Sequence, residues 1–290
     1  MLAYLNGQFL PRSSATISVE DRGFVFGDGV YEVWRVVNGR LFEGERHLAR
    51  LELGLRELRI SLAQPLSLHE AEEIADRLLR ESSLATGEAT FYVEITRGAA
   101  PRSHQFPANT PPTIYATVNR LVPPEDLRAK GAAAITLPDI RWLRCDLKTI
   151  QLLPNVFAKQ AAVERGAVDA LMIRDGVITE GSHANVAGVL DGTIRTHPTN
   201  HLILPGITRA IVLDIARELG IPVSEEPISE RDIPRLEELF LLGTTTDVMP
   251  IVRIDDKPVA NGKPGPITSR LVKEFRARLD ASCAPARAAS

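Results

Sequence analysis

Hydrophobic and polar positions in the first 120 residues follow two different periods. Short apolar runs flank the Asn-Gly pairs at 6–7 and 38–39, and this pattern is typical of β-hairpins because Asn-Gly suits a tight turn. Apolar residues then recur every three or four positions over 45–60, which predicts an amphipathic helix, and Ser67 followed by Glu70, a capping-box pattern, marks the start of a second predicted helix over 68–81. Two strand-like stretches after these helices complete a predicted region of mixed secondary structure.

The second half of the chain again mixes strand and helix patterns. Asp-Gly pairs at 175–176 and 191–192 mark turns between short strands, and residues 206–220 have the spacing of an amphipathic helix. We therefore predict a protein of mixed α and β (α+β) class with two domains. The predicted parts are a smaller N-terminal domain (1–120), a linker (121–130), a larger C-terminal domain (131–280) and a disordered tail (281–290).

Composition and charge limit the kinds of partner, cellular location and metal site that the chain is expected to have. The chain has 290 residues and a formal net charge of −3, which gives no reason to expect nucleic acid or a membrane surface as a partner. No apolar run reaches the ~18 residues needed to span a bilayer, and the N-terminus lacks the pattern of a signal peptide. Two distant cysteines, Cys145 and Cys283, predict no disulfide framework, and the histidines show no metal-ligand spacing. We expect a soluble cytoplasmic protein without a metal.

Lys148 is the first candidate for chemistry. Lysine is rare in this chain, and this one lies among leucines in the stretch RCDLKTIQLL. One interpretation is a surface side chain whose stem covers apolar groups while its ammonium stays in water. The other is an amine whose pKa is lowered by burial, so that it acts as a base and forms a Schiff base with an aldehyde cofactor.

Further candidates can bind charged groups. Glu180 ends an apolar strand and can face a protonated ring nitrogen, although a solvated acid at a strand end fits equally. Thr208 opens a helix after a glycine, and Thr244 follows Gly243; both positions suit a phosphate, and both fit an ordinary cap or turn. Arg50 can add a bidentate phosphate contact or remain a solvated surface residue.

The loop PRSHQFP contains a possible carboxylate trap. Arg102 and His104 alternate there, so in an extended backbone their side chains point the same way; a mobile surface loop is the other interpretation. Taken together, the lysine, the acid, the two phosphate-type turns and the arginine are the groups that a pyridoxal phosphate enzyme needs.

Six motifs in one order give the chain a resemblance to a known family. They are EDRGFVFGDGVYEV, TRGAAPRSHQFP, DIRWLRCDLKTIQLL, TEGSHANV, LPGITR and LGTTTDVMPI. With them the chain resembles the class IV aminotransferases, which are pyridoxal 5′-phosphate enzymes of fold type IV, over nearly its whole length. The loop RGAAPRSHQFP is most similar to the D-amino acid aminotransferase branch.

This resemblance implies a role for each candidate. Lys148 is expected to be the catalytic lysine that holds the cofactor, and Glu180 the partner of its ring nitrogen. The expected phosphate-binding residues are Arg50, Ile207, Thr208 and Thr244, and Leu204 is expected to pack against the ring. The substrate carboxylate is expected to bind Tyr31, Arg102 and His104. The last two are expected to come from the neighbouring subunit of a homodimer, with the site at the subunit boundary.

The resemblance also implies the reaction. We expect ping-pong transamination between a D-amino acid such as D-alanine and a 2-oxo acid, 2-oxoglutarate or pyruvate, through a Schiff base on Lys148. His183 and Ala184 replace serines that are frequent in this branch, so substrate preference can differ. The alternatives are a branched-chain L-amino acid aminotransferase, an (R)-amine transaminase, an aminodeoxychorismate lyase and a non-catalytic module that binds a phosphorylated ligand.

Overall fold

A computed structural model describes residues 1–283 of the chain, which form two compact units. Unit 1 consists of residues 1–122, residues 147–151 and the described residues from Asp280 onward. Unit 2 consists of Pro123–Asp146 and Leu152–Leu279. Both units combine helices with a sheet, so the predicted mixed α and β class is confirmed.

Unit 1 contains a six-stranded antiparallel sheet. Its strands are β1 (Leu2–Leu5), β2 (Gln8–Pro11), β3 (Gly29–Val37), β4 (Arg40–Leu41), β5 (Glu88–Thr96) and β6 (Thr113–Arg120). Their spatial order is β2-β1-β6-β5-β3-β4. Both predicted Asn-Gly hairpins form, because Asn6 and Asn38 adopt the positive φ of 48° that such tight turns require.

Three helices accompany this sheet, namely α1 (Arg22–Phe26), α2 (Gly44–Glu57) and α3 (Leu68–Glu81). The buried faces of α2 and α3 share one apolar cluster with Trp34 of β3 and Phe91 of β5. The leucine spacing that predicted α2 is therefore the spacing of its core-facing side chains, and Ser67, which predicted the start of α3, is the N-cap that accepts from the Glu70 N–H. The strand β3 pairs with β4 and β5 in the sheet and carries one of the ten candidate residues, Tyr31.

Unit 2 contains a nine-stranded mixed sheet. Its strands are β7 (Ala132–Pro138), β8 (Asp169–Arg174), β9 (Val177–Gly181), β10 (Asn185–Leu190), β11 (Thr193–Thr196), β12 (Val223–Ser224), β13 (Glu238–Gly243), β14 (Asp247–Ile254) and β15 (Lys257–Pro258). The main spatial order is β12-β11-β10-β13-β14-β7-β8-β9, and β15 pairs with β14. The pairs β11–β12, β14–β7 and β7–β8 are parallel, and the others are antiparallel.

The remaining α-helices are α4 (Glu125–Lys130), α5 (Leu153–Glu164), α6 (Ile207–Glu218) and α7 (Pro266–Ser282). Among residues 1–283 no helix has the length and apolar character needed to cross a membrane. Short 3₁₀ turns lie at Arg12–Ser14 and Glu230–Arg235.

The structure differs from the sequence prediction at three places. Part of the predicted linker forms α4, which belongs to unit 2 because Arg128 donates a hydrogen bond to the buried Asp247 at 3.0 Å. Lys148, expected in the C-terminal domain, lies in unit 1, since the Tyr31 N–H donates to its carbonyl at 3.0 Å. The predicted disordered tail begins inside α7, which continues to Ser282, and its residues 284–290 lie outside the described residues.

Candidate active site

The ten candidate residues divide equally between the two units. Unit 1 contains Tyr31, Arg50, Arg102, His104 and Lys148. Unit 2 contains Glu180, Leu204, Ile207, Thr208 and Thr244. Unit 1 therefore contains the candidate amine, two arginines, a tyrosine and a histidine, and unit 2 contains a buried carboxylate and the start of a helix.

Lys148 lies against the start of β3. Its neighbour Thr149 forms an isolated bridge with Val30, and the Ile150 N–H donates to the Gly29 carbonyl at 3.2 Å. The Lys148 side chain is half-buried, and its Nζ lies 4.2 Å from the centre of the Tyr31 ring. An ammonium at this distance from an aromatic face is attracted by the ring quadrupole. The structure thus brings the predicted lysine and the predicted substrate-binding tyrosine together.

Arg50 is held on α2 by an acid that the sequence analysis missed. Its Nε donates to Glu32 Oε2 and its Nη2 to Glu32 Oε1, both at 2.8 Å, and His47 Nδ1 lies 3.0 Å from Glu32 Oε1. Burial raises the pKa of Glu32, but Arg50 and His47 lower it further, so the net pKa is below the ordinary value and Glu32 is a carboxylate. An acid inside the apolar strand VYEVWRVV was the signal that could have identified it.

Arg102 and His104 converge on one ring. The Arg102 guanidinium carbon lies 5.3 Å from the centre of the Phe26 ring, and the His104 ring centre lies 5.6 Å from it. Both side chains are exposed, and the backbone around them bends instead of forming the expected extended segment. The two side chains therefore approach each other through the Phe26 ring at the end of α1, and not because alternate residues of an extended strand point the same way.

Glu180 is a buried carboxylate at the end of β9. Its Oε2 accepts hydrogen bonds from the Leu204 N–H and from Asn185 Nδ2, both at 3.1 Å, and its Oε1 accepts from Arg141 Nη1. Burial raises the pKa of Glu180 to about 7, and the positive charge of Arg141 opposes that rise. Asn185 also donates to the Leu204 carbonyl at 2.9 Å, so one amide fixes two predicted site residues.

Arg141 links Glu180 to a second buried acid. Its Nη2 donates to Asp139 Oδ2 at 2.7 Å and to the Leu202 carbonyl at 3.0 Å. Burial raises the pKa of Asp139, but the hydrogen bonds and charge of Arg141 lower it more, so the net pKa is below its ordinary value. Neither Arg141 nor Asp139 was predicted as a site residue, because the contact with Glu180 joins positions far apart in sequence.

The start of α6 is suited to an anion. Gly206 is its N-cap residue and provides no side-chain cap, while Ile207 and Thr208 form the first turn. The first amides of a helix lack intrahelical partners and attract negative charge. A Cβ at Gly206 would lie 1.9 Å from Asn185 Oδ1, so a glycine is required where the chain passes this close to Asn185. Thr244 lies in the turn between β13 and β14, as predicted for the second phosphate-type turn.

His183 and Ala184, which stand where serines are frequent in this branch, have defined positions. His183 is partly exposed, and its Nδ1 lies 3.3 Å from Oδ2 of the buried Asp169. Ser182 donates to the other oxygen of Asp169, and Ala184 is buried. His183 therefore has an acidic partner close by. In residues 1–283 no group of three or more His, Cys, Asp or Glu side chains is arranged to hold a metal ion.

Comparisons with known proteins identify the family of the chain. The family model described as amino-transferase class IV matches residues 29–254. The chain is 39% identical to a D-alanine aminotransferase of Staphylococcus aureus (96% of this chain, 97% of the relative), and 40% identical to one of Bacillus licheniformis (93% and 94%).

Solved structures share the fold. A branched-chain amino acid aminotransferase of Escherichia coli superposes with a TM-score of 0.87 at 23% identity, over 96% of this chain and 94% of that one. A second solved branched-chain amino acid aminotransferase, with pyridoxamine 5′-phosphate, gives a TM-score of 0.86 at 26% identity, over 98% of this chain and 95% of that one.

Proposed function

The chain belongs to the class IV aminotransferases, and we propose that it transfers the amino group of a D-amino acid such as D-alanine to a 2-oxo acid, 2-oxoglutarate or pyruvate. The observation that carries this proposal is the identity of 39–40% to D-alanine aminotransferases over more than nine-tenths of the chain. The solved branched-chain enzymes are 23–26% identical and share chiefly the fold.

Pyridoxal 5′-phosphate is the cofactor of this class, and the residues present fit it. A half-buried amine (Lys148), a buried carboxylate held by three donors (Glu180) and an uncapped helix start at Ile207 match its aldehyde, ring nitrogen and phosphate. When bound, the cofactor supplies an aldehyde that bonds to amines and a protonated ring that accepts the electron pair released at the substrate Cα.

In this proposal Lys148 has two tasks. Its Nζ would hold the cofactor by its aldehyde in the resting enzyme, and with the substrate amine in that place the free lysine amine would take the proton from the substrate Cα. The Tyr31 ring, 4.2 Å from Nζ, limits where the amine can lie. In ping-pong order the first 2-oxo acid leaves before the second one binds.

The other groups hold the cofactor and complete the charge balance. Glu180 keeps the ring nitrogen protonated, and Arg141 favours the carboxylate form that this task requires. Leu204 packs against the ring face. The proposed phosphate ligands are the first amides of α6 at Ile207 and Thr208, together with Thr244 and Arg50. The bidentate contact with Glu32 fixes the guanidinium plane of Arg50.

The substrate carboxylate is assigned to Tyr31, Arg102 and His104. Arginine suits this task because its planar fork can pair with both carboxylate oxygens. The proximity of Arg102 and His104 to the same Phe26 ring supports a joint role. We further propose that this loop acts on the neighbouring subunit of a homodimer.

An exposed apolar face of α5 supports the dimer. Leu153, Val156, Phe157 and Val163 are 55–64% exposed and recur at helical spacing. A contiguous apolar surface of this kind usually marks an interaction site, and a second copy of the chain is the proposed occupant. Both cysteines are free and buried thiols, which agrees with the proposed cytoplasmic location.

Branched-chain L-amino acid transamination is the second candidate, favoured by the close superposition of solved enzymes with that activity. The purified holoenzyme should be assayed with D-alanine, L-leucine and (R)-1-phenylethylamine, each with 2-oxoglutarate and with pyruvate. We expect the highest kcat/KM for D-alanine. A higher value for L-leucine would replace the proposed function by the second candidate.

A further inference from the structure

Unit 1 contains a largely buried charge cluster that the proposed chemistry does not use. Asp28 accepts hydrogen bonds from Arg22 Nε at 2.8 Å and from Arg97 Nε and Nη2 at 2.8 and 2.9 Å. Burial raises the pKa of Asp28, but the two guanidinium groups lower it further, so its net pKa is below the ordinary value and it is a carboxylate. Arg22 and Arg97 are themselves almost fully buried.

The two arginines anchor different parts of the fold. Arg97 donates to the carbonyls of Leu58 and Arg59 just after α2, at 2.6 and 2.9 Å. Arg22 instead turns its Nη1 to the carbonyl of Ser103, at 2.6 Å. Ser103 lies between Arg102 and His104, the two proposed carboxylate ligands. Arg97 is thus fixed to the residues after α2 and also lies 3.7 Å from the centre of the Phe106 ring in the loop between β5 and β6, whereas Arg22 holds that loop at Ser103, between the two proposed ligands.

The base of this loop is held without the Arg22 side chain. The Arg22 N–H donates to the Gly98 carbonyl at 3.0 Å, and Thr113 Oγ1 donates to Asp21 at 2.6 Å. Gly98 has a φ of +89°, and a Cβ there would lie 1.9 Å from the Pro111 carbonyl oxygen, so the two ends of the loop are closed on each other. The Arg22 guanidinium is therefore directed at the centre of the loop, where the functional side chains are.

Phe26 completes the arrangement. The Arg22 guanidinium carbon lies 4.7 Å from the centre of the Phe26 ring, the same ring that Arg102 and His104 approach. Three cationic or titratable side chains therefore share one aromatic ring, and Arg22 is the buried member of the three, tied to the Asp28 carboxylate.

We propose that Arg22, held by Asp28, is a positioning residue that fixes the Ser103 carbonyl and thereby sets the placement of Arg102 and His104 for the substrate carboxylate. This inference rests on the proposed function, because it takes the carboxylate as the group that the loop binds. Displacing a binding group by about 1 Å can cost about 100-fold in rate, so a single hydrogen bond at Ser103 is sufficient for a large effect.

The test compares three variants of the holoenzyme. Arg22→Met removes both hydrogen bonds, and Arg22→Lys keeps the positive charge but cannot donate to Asp28 and Ser103 in the same fork geometry. Arg35→Met is the matched control: Arg35 is also buried and pairs with Glu88, but it lies roughly 20 Å along the strand from Asp28, at about 3.3 Å per residue.

For Arg22→Met we expect KM for D-alanine to rise about tenfold or more, with a much smaller change in kcat and an unchanged cofactor absorbance. Arg22→Lys should show an intermediate KM, and Arg35→Met should lower Tm without raising KM. A second measurement follows tryptic cleavage at the Arg102–Ser103 bond by mass spectrometry, which should accelerate in Arg22→Met because the centre of the loop opens more often.

Two results would overturn the inference. In the first, the wild type turns over D-alanine and Arg22→Met has the same KM as the wild type. In the second, KM rises as much in Arg35→Met as in Arg22→Met, which would indicate a general loss of stability. A wild type that does not turn over D-alanine would instead reject the proposed function itself.

Discussion

The guanidinium of Arg141 donates to the carboxylate of Glu180, and both side chains are buried in unit 2. The contact joins the acid proposed for the cofactor ring to a buried positive charge. Because burial alone raises the pKa of Glu180, the ionisation of this acid at neutral pH depends on Arg141. The first two predictions follow from this dependence.

Arg141→Met should protonate Glu180 at neutral pH. Without the positive charge the pKa of Glu180 rises further, and the carboxyl group no longer favours a protonated ring nitrogen. We expect kcat to fall by about 100-fold, since one charged hydrogen bond contributes about 1.5–3 kcal/mol. The acidic limb of the kcat–pH profile should move to higher pH. An unchanged profile in this variant would show that Arg141 does not control Glu180.

Glu180 should make the cofactor-free protein less stable as pH rises from about 4.5 to about 7. Its folded-state pKa of about 7 lies above the ordinary value of 4.5, so in this interval the folded state binds more protons than the unfolded state. The cost reaches at most about 3 kcal/mol above pH 7. Glu180→Gln should remove it. Urea unfolding should therefore show a higher free energy of unfolding for Glu180→Gln than for the wild type at pH 7.5 but not at pH 5. An equal increase at both pH values would contradict the shifted pKa.

Lys148→Ala should abolish turnover. The variant lacks both the amine that bonds to the cofactor and the base that takes the α-proton, and we expect a loss of about 10⁴-fold in kcat. Borohydride reduction of the wild type should attach the cofactor to Lys148, as read by peptide mass spectrometry. Lys159→Ala is the matched control, because Lys159 is also half-buried but donates to the Val168 carbonyl. Tagging of Lys159 instead would reject the assignment.

Arg102→Leu should raise KM for D-alanine while the cofactor absorbance stays unchanged. Loss of a charged hydrogen-bond pair predicts about a 10- to 100-fold increase. Arg56→Leu on α2 removes another exposed arginine from unit 1 and should leave KM unchanged. If both variants behave alike, the loop does not bind the carboxylate.

Mixing Lys148→Ala, which should be inactive, with Arg102→Leu, which should be nearly inactive at low D-alanine, tests whether the loop acts on the neighbouring subunit. A hybrid dimer of Lys148→Ala with Arg102→Leu would contain one site with both an intact lysine and an intact loop if the loop serves the partner. Activity at low D-alanine should then reappear after subunit exchange. If the loop serves its own subunit, the activity of the mixture at low D-alanine should not exceed that of the two variants measured separately.

Local patterns in the sequence were sufficient for most elements. The helix α2 was predicted near its observed bounds because leucine spacing reports the buried face, and α3 because Ser67 and Glu70 mark its start. The Asn-Gly and Asp-Gly turns were predicted because these residues tolerate positive φ. The helix α1 was missed. It has five residues, too few for a periodic pattern, and it depends on the Asp21 cap and on Gly27 with a φ of 69°.

The sequence by itself thus determined the class of fold, the family and the candidate lysine, because motifs, turns and helical spacing depend only on residues that are close together in the sequence. Only the tertiary structure decided that Lys148 lies against β3, that Arg141 accompanies Glu180 and that Arg22 holds the Ser103 carbonyl. The residues in these contacts are far apart in sequence. The separation is 39 positions for Arg141 and Glu180 (180 − 141) and 117 positions for Tyr31 and Lys148 (148 − 31). A buried charge is stable only with a hydrogen-bonded partner, and that partner can come from any part of the chain that the fold places nearby. A local sequence pattern therefore does not identify it.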